Sequence, residues 1–87
     1  MLRERFVLLY FIRSFEPILR LLNIEHTPAV QHWAVWALAN LTKVYPEKYC
    51  SVLRDEGGID MLKRLLMKPG HSRILELAET IIKQCER

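Results

Sequence analysis

The sequence contains few of the residues that usually interrupt helices or build catalytic centres. Only three glycines and four prolines occur in 87 residues, so most of the chain is free to form regular helices. The two cysteines, Cys50 and Cys85, are too few for a disulfide framework, and we expect reduced core thiols, as in a cytoplasmic or nuclear protein. No apolar run approaches the roughly 18 residues that span a membrane, so we predict no membrane partner.

Charge and chemistry point away from an enzyme. The net charge is +3, and acidic and basic residues are interleaved without a run of one sign, which favours a solvated surface over a nucleic-acid interface. The histidines show no metal-ligand spacing with the cysteines. We find no nucleophile–base arrangement, no phosphate loop and no paired carboxylates with a plausible shared pocket, since a turn role suffices for Asp55 and Glu56. The sequence therefore predicts no catalytic residues, no metal and no cofactor.

Apolar residues recur with helical spacing along the whole chain, and no strand pattern competes. Six helices are predicted, over 2–12, 15–22, 28–44, 46 to the glycines at 57 and 58, 59–67 and 73–84. Ser14, Thr27 and Ser72 are expected to cap the second, third and sixth helices. Pro28 suits the first helical position, where its missing N–H costs nothing.

The helical pattern repeats when the chain is shifted by 44 positions. The aligned pairs are Phe6 with Cys50, Leu9 with Leu53, Ile18 with Leu62, Arg20 with Arg64, Leu21 with Leu65, Leu22 with Leu66, Val30 with Ile74, Trp33 with Leu77, Ala34 with Ala78, Leu38 with Ile82, and Leu41 with Cys85. This period is typical of armadillo and HEAT repeats. We therefore predict an all-α, armadillo/HEAT-like α-solenoid of two three-helix repeats, 1–43 and 44–87, in which both cysteines occupy core positions.

The third predicted helix has a core stripe and a second, polar face. The stripe consists of Val30, Ala34, Ala37, Leu38 and Leu41, with Trp33 expected at its edge because Leu77 is its partner in the shift. Trp36 and Asn40 are i, i+4 neighbours outside that stripe, so they share a face. In armadillo solenoids the third helices line a concave groove. An Asn amide there can pair with the N–H and C=O of an extended peptide, and a Trp excludes water from those bonds.

Trp36, Asn40 and Lys43, which lies one turn further, are therefore the predicted peptide-binding residues. The alternative for this face is that Trp36 only packs against a neighbouring repeat and Asn40 only contacts water. Thr80 and Gln84 occupy the positions of the Trp and the Asn in the second copy. The binding pair is thus not repeated there, as expected of a terminal repeat.

The stretch VQHWAVWALANLTKVYPEKYCSVLRDEGGIDMLKRLL, residues 30–66, resembles the C-terminal armadillo-like end of the Zyg/Zer family. QHWAVWAL, VYPEKYC and EGG are its most specific pieces. The resemblance covers Ser14 to Cys85, whereas Met1 to Ile12 does not match the family pattern. Members of this family are substrate receptors of cullin-two RING ubiquitin ligases.

This resemblance implies recognition of proteins with an exposed N-terminal glycine. Asn40 matches an amide of the family's pocket, and Trp36 lies beside it. The carboxylate and Trp of the preceding repeat would lie upstream of Met1, as would the leucine-rich repeats and the cullin-binding box. The chain is therefore expected to be a fragment that carries part of a pocket. Its expected partners are the N-terminal segments of protein substrates, and upstream repeats of a longer receptor or another solenoid. A cullin-two ligase is expected as a partner only through upstream regions that this chain lacks.

A fragment of this kind is expected to have an apolar end that needs a neighbour. The residues of that end are Phe6, Val7, Leu8, Phe11 and Ile12. Two other functions remain open. One is a structural solenoid cap or scaffold without peptide binding of its own. The other, nucleic-acid binding through Arg20, Lys63 and Arg64, is disfavoured by the mixed charges.

Overall fold

The computed structural model describes residues 14–24 and 26–86, and every regular element within them is an α-helix. The five helices are α1 (Glu16–Leu22), α2 (Pro28–Val44), α3 (Pro46–Asp55), α4 (Gly58–Leu66) and α5 (Ser72–Cys85). The part of the chain so described contains no strand, and the arrangement is compatible with an α-solenoid. None of its helices combines the length and the apolar character that a membrane crossing requires.

The helix positions confirm the prediction closely, and Thr27 is at the predicted cap position but makes no capping bond, whereas the predicted cap at Ser72 is wrong. The predicted helix over 2–12 lies outside the described residues. Thr27 is the N-cap residue of α2, yet its hydroxyl donates to the carbonyl of Ile24 at 3.2 Å. Ser72 is already the first residue of α5, and the N-cap residue, His71, makes no side-chain capping bond. In the first case a nearby carbonyl in the preceding turn competes successfully for the hydroxyl.

The start of α1 is held by a carboxylate from a distant part of the chain. Glu56 accepts from the Phe15 N–H at 2.5 Å and from the Ser14 hydroxyl at 2.6 Å. The Ser14 oxygen also accepts from the Glu16 N–H at 3.2 Å, so this predicted cap contributes, although Phe15 is the N-cap residue. A helix N-terminus has unpaired N–H groups and partial positive charge, so a carboxylate stabilises it.

The core lies mainly between α2 and the helices around it. Helix α2 packs most extensively against α5, and it also contacts α1 and α3. Its predicted core residues Ala34, Ala37, Leu38 and Leu41 are all buried, while Val30 is half-buried. Val35, which the predicted stripe omits, is fully buried as well. Helix α2 is therefore covered on more than one side, as expected of an inner helix in a layered fold.

Tyr49 of α3 is the largest side chain that the structure buries completely. Its ring lies 5.5 Å from the ring of Phe15 and 6.0 Å from that of Tyr45, measured between centroids. Such aromatic pairs add to the stabilisation that burial itself supplies. Phe15, which precedes α1, therefore packs against Tyr49 of α3, and the same segment is hydrogen-bonded to Glu56 just after α3.

The structure corrects the expectation of two reduced thiols. Cys50 of α3 and Cys85 at the end of α5 are joined in a disulfide, with their Cα atoms 5.1 Å apart. Both residues are buried, at 3% and 4% exposure, so their predicted place in the core is confirmed. The error arose because a repeat pattern identifies core positions but not which two of them face each other. The inference of a reducing compartment from free thiols loses its support.

Candidate functional site

One face of α2 presents aromatic and polar side chains that the core does not use. Trp33, Trp36, Asn40 and Lys43 are spaced by three, four and three residues, which places them within roughly 100° of the helix circumference. The two indoles are 49% and 48% exposed, Lys43 is exposed, and Asn40 is half-buried. We call these four residues the α2 face.

The amide of Asn40 is oriented by its own helix. Its Nδ2 donates to the backbone carbonyl of Trp36 at 2.8 Å, a bond that polar side chains often make to the residue four positions earlier. One N–H of the amide and its carbonyl oxygen then remain for other partners. The arrangement therefore holds a donor and an acceptor beside an exposed indole. The peptide-binding role of Trp36, Asn40 and Lys43 stays a prediction.

Trp33 does not lie where the sequence pattern placed it. We expected it at the edge of the core, because Leu77 aligns with it, and Leu77 is indeed buried at 8% exposure. Leu77 lies on α5, which packs against α2. The alignment of the two positions does not show which helix covers each of them. Trp33 is instead half-exposed and belongs to the α2 face. Its i, i+7 spacing to Asn40 was a signal that could have placed it there.

The residues that align with Trp36 and Asn40 are engaged within the chain. The Thr80 hydroxyl donates to the carbonyl of Glu76 at 2.9 Å. The Gln84 amide donates to the hydroxyl of Thr42 at 2.7 Å, and Thr42 is fully buried. Gln84 therefore links α5 to α2, whereas Asn40 bonds only within α2 among the described residues.

Beyond Asn40, the α2 face continues into an open cavity of about 440 Å³ between α2, α3 and α5. It is lined by Thr42, Lys43, Pro46, Glu47, Cys50, Arg54, Gln84 and Cys85. We call it the end cavity. Sequence reasoning named Lys43 as a site residue but not Glu47, Arg54 or Gln84, because these come from two helices whose approach to α2 is not encoded in any local spacing.

Two of the three cations in the nucleic-acid hypothesis are paired with carboxylates. Arg20 forms an ion pair with Glu16 within α1, and Lys63 lies 2.7 Å from a carboxylate oxygen of Glu86. The hydrogen bond and the negative charge of Glu86 raise the pKa of Lys63. These pairs reduce the positive charge available to phosphates. In the residues that the structure describes, no group of three potential metal ligands comes together.

Comparison with known proteins decides the family. The family described as "Protein zer-1 homolog-like, C-terminal domain" matches residues 3–87. The chain belongs to the Zyg/Zer family. The match begins at residue 3, so the expectation that residues 3–12 lie outside the family pattern is wrong.

Several members of the Zyg/Zer family are closely similar to this chain. It is 52% identical over 75 residues to a Drosophila melanogaster protein named "Protein zer-1 homolog", covering 85% of the chain and 10% of that protein. The Mus musculus protein of the same name is 50% identical over 74 residues, covering 84% of the chain and 10% of that protein. "Zyg eleven-related protein 1" of Caenorhabditis elegans is 63% identical over 54 residues, covering 62% of the chain and 6% of that protein. The chain thus spans about a tenth or less of the length of these relatives.

Proposed function

We propose that this chain is a substrate-binding segment of a Zyg/Zer-type ubiquitin ligase receptor, not an enzyme, and that it contributes part of a groove for N-terminal glycine degrons. Family membership supports the receptor class. The observation that carries the binding proposal is the Asn40 amide, held by the Trp36 carbonyl at 2.8 Å beside an exposed indole. A cullin-two ligase would be recruited through other regions of the receptor, in the cytoplasm or nucleus.

The proposed architecture is a pair of armadillo-like repeats, residues 1–43 and 44–87. Burial at aligned positions supports it, because Ile18 and Leu62, and likewise Leu41 and Cys85, are buried in both copies. In this arrangement α2 and α5 are the third helices of successive repeats, and their exposed faces would line one groove. Trp33, Trp36 and Asn40 then form the peptide-facing wall of the first repeat.

The α2 face would hold the backbone of the bound peptide rather than its terminal amine. A charged amine needs a carboxylate partner, and none of the four residues of the α2 face supplies one. We therefore assign that carboxylate to upstream repeats of the receptor. The first-residue selectivity for glycine would arise there, where a walled pocket has no room for a Cβ.

The test is an NMR titration of the 87-residue chain with an extended peptide that begins with glycine, followed through the indole N–H signals of the two tryptophans. We expect binding in the millimolar to high micromolar range, with the Trp36 signal shifting. Asn40→Ala should weaken binding by about 1–3 kcal/mol, through the lost backbone pairing. Asn23→Ala is the matched control, since it removes the same kind of amide from an exposed residue at the end of α1, and it should leave the affinity unchanged. Equal affinities of Asn40→Ala and the unmodified chain would remove Asn40 from the site.

The second candidate function is a solenoid cap, favoured by the exposure of both Trp33 and Trp36 on one side of α2. Indoles at such positions can pack against a neighbouring repeat instead of a peptide. Trp36→Ala separates the two candidates. If Trp36 lines the groove, the variant should bind the peptide more weakly while its unfolding curve stays the same. If Trp36 belongs to a cap, the variant should be less stable or should assemble less well, and its peptide affinity should not change.

A further inference from the structure

The end cavity contains two cationic side chains that form no ion pair among the described residues. Lys43 comes from the last turn of α2 and Arg54 from the last turn of α3, and both are exposed. Neither forms an ion pair within the described part of the chain, in contrast to Lys63, which is bound by Glu86 at 2.7 Å. Both cations are therefore available to a ligand.

The cavity favours an anionic group over a cationic one. Glu47 is its one carboxylate, so the lining carries two positive charges and one negative charge. The other polar groups are uncharged, and the amide of Gln84 is held in place by its bond to the Thr42 hydroxyl at 2.7 Å. A carboxylate entering from the groove could accept hydrogen bonds from a Lys ammonium and an Arg guanidinium together, and such charge-assisted bonds are the strong ones.

The position of the cavity indicates where that carboxylate comes from. Lys43 belongs both to the α2 face and to the cavity lining, so the two surfaces are continuous. Asn40 and Lys43 are separated by about 4.5 Å along the helix axis, at about 1.5 Å per residue. An extended peptide advances about 3.3 Å per residue. A peptide side chain that reaches the cavity would thus be about one or two residues from the residue whose backbone pairs with Asn40.

We propose that the end cavity is a subsite for an acidic side chain of the bound peptide, with Lys43 and Arg54 as its binding residues. This inference rests on the proposed function, since the peptide backbone must lie along the α2 face. It defines the substrate class further, as segments that carry Asp or Glu about one or two residues away from the position held by Asn40. The pairing is with a carboxylate of a protein side chain, not with a phosphate of nucleic acid.

The test compares pairs of glycine-initiated peptides that differ by one Asp or Asn, with that residue moved through positions 2 to 7. The full 87-residue chain is titrated with each pair at low salt, where such interactions are least screened. At one or two positions we expect the Asp peptide to bind at least threefold more tightly than its Asn partner. The preference should fall to about one in Lys43→Gln and in Arg54→Gln. Arg64→Gln removes the same charge from an exposed side chain on α4 and should keep the preference.

The outcomes separate the subsite from the groove. Equal binding of the Asp and Asn peptides at every position would overturn the subsite and leave the proposed function intact. An Asp preference that survives both cavity substitutions, or that Arg64→Gln abolishes equally, would also overturn it. If no peptide of either kind binds, both proposals are wrong. Melting curves of the three variants control for a purely structural role of cations in the last turn of a helix.

Discussion

Leu53 and Gly58 approach each other closely where α3 ends and α4 begins. A Cβ added at Gly58 would lie 2.2 Å from Leu53 Cδ1 and 3.0 Å from the Leu53 carbonyl oxygen. Leu53 is fully buried, so it has little room to move. The preceding residue, Gly57, has φ = +76°, a left-handed conformation that side chains other than glycine adopt at a cost. Gly57 thus permits the left-handed backbone conformation, and Gly58 permits the close approach of Leu53.

Gly58→Ala should therefore destabilise the chain by about 1–3 kcal/mol, the usual cost of overpacking a filled core. The matched control is Gly70→Ala, because a Cβ at Gly70 meets no atom within 4 Å and should change stability by less than about 1 kcal/mol. Denaturant unfolding of both variants measures the difference. Equal stabilities would show that Leu53 can move aside without loss.

At the scale of elements, α1 depends on a residue that is far from it in sequence. The helix has only seven residues, which is too short to be stable alone. Glu56, at the end of α3, binds the Phe15 N–H and the Ser14 hydroxyl at its start. At its other end, the buried Gln31 amide of α2 donates to the Leu22 carbonyl at 2.8 Å. At each end of α1, a backbone group is thus hydrogen-bonded by a side chain from elsewhere in the fold, Glu56 at the start and Gln31 at the end.

Glu56→Ala should loosen α1 before it affects the other helices. We expect a loss of about 0.5–2 kcal/mol, the usual range for a lost cap, and faster hydrogen exchange of the α1 amides. Asp55→Ala removes a carboxylate from the neighbouring exposed residue, which forms no side-chain bond or ion pair among the described residues, and so serves as the control. Unchanged exchange in α1 after Glu56→Ala would contradict a capping role.

At the scale of the molecule, one covalent link joins the last helix to the centre of the fold. The disulfide between Cys50 and Cys85 spans 35 residues and thereby connects α3 with the C-terminal end of α5. A crosslink over a segment of this length restricts the unfolded chain, which commonly stabilises a domain by about 2–4 kcal/mol. In a chain of 87 residues that amount is a large share of the stability.

Reduction should accordingly lower the melting temperature of the chain by roughly 10 °C or more. The measurement is thermal unfolding followed by circular dichroism, with and without dithiothreitol. A Cys50→Ala/Cys85→Ala variant is the control, because it should melt near the temperature of the reduced chain and should not respond to the reductant. A melting temperature of the unmodified chain that the reductant leaves unchanged would count against a stabilising crosslink.

The features that could be predicted from sequence are those set by neighbours in the chain. Trp36 and Asn40 could be assigned to one side of α2, because helical spacing alone places them there. The expected burial of Trp33 followed from its alignment with Leu77, although its i, i+7 spacing to Asn40 indicates the other side of the helix. Such an alignment does not show which helix packs over that turn. The missing capping bond of Thr27 has a local origin, because its hydroxyl donates instead to the Ile24 carbonyl three residues earlier.

The sequence by itself determined the five described helices and most of the buried residues of α2, because apolar periodicity, Pro28, Pro46 and the glycines act within a few residues. The motifs QHWAVWAL, VYPEKYC and EGG indicated the family. Tertiary structure alone decided the disulfide, the cap from Glu56 and the end cavity. Each of these joins groups that are far apart along the chain, and their meeting depends on how whole helices pack. Local spacing carries no information about such distances, so only the packed helices could establish them.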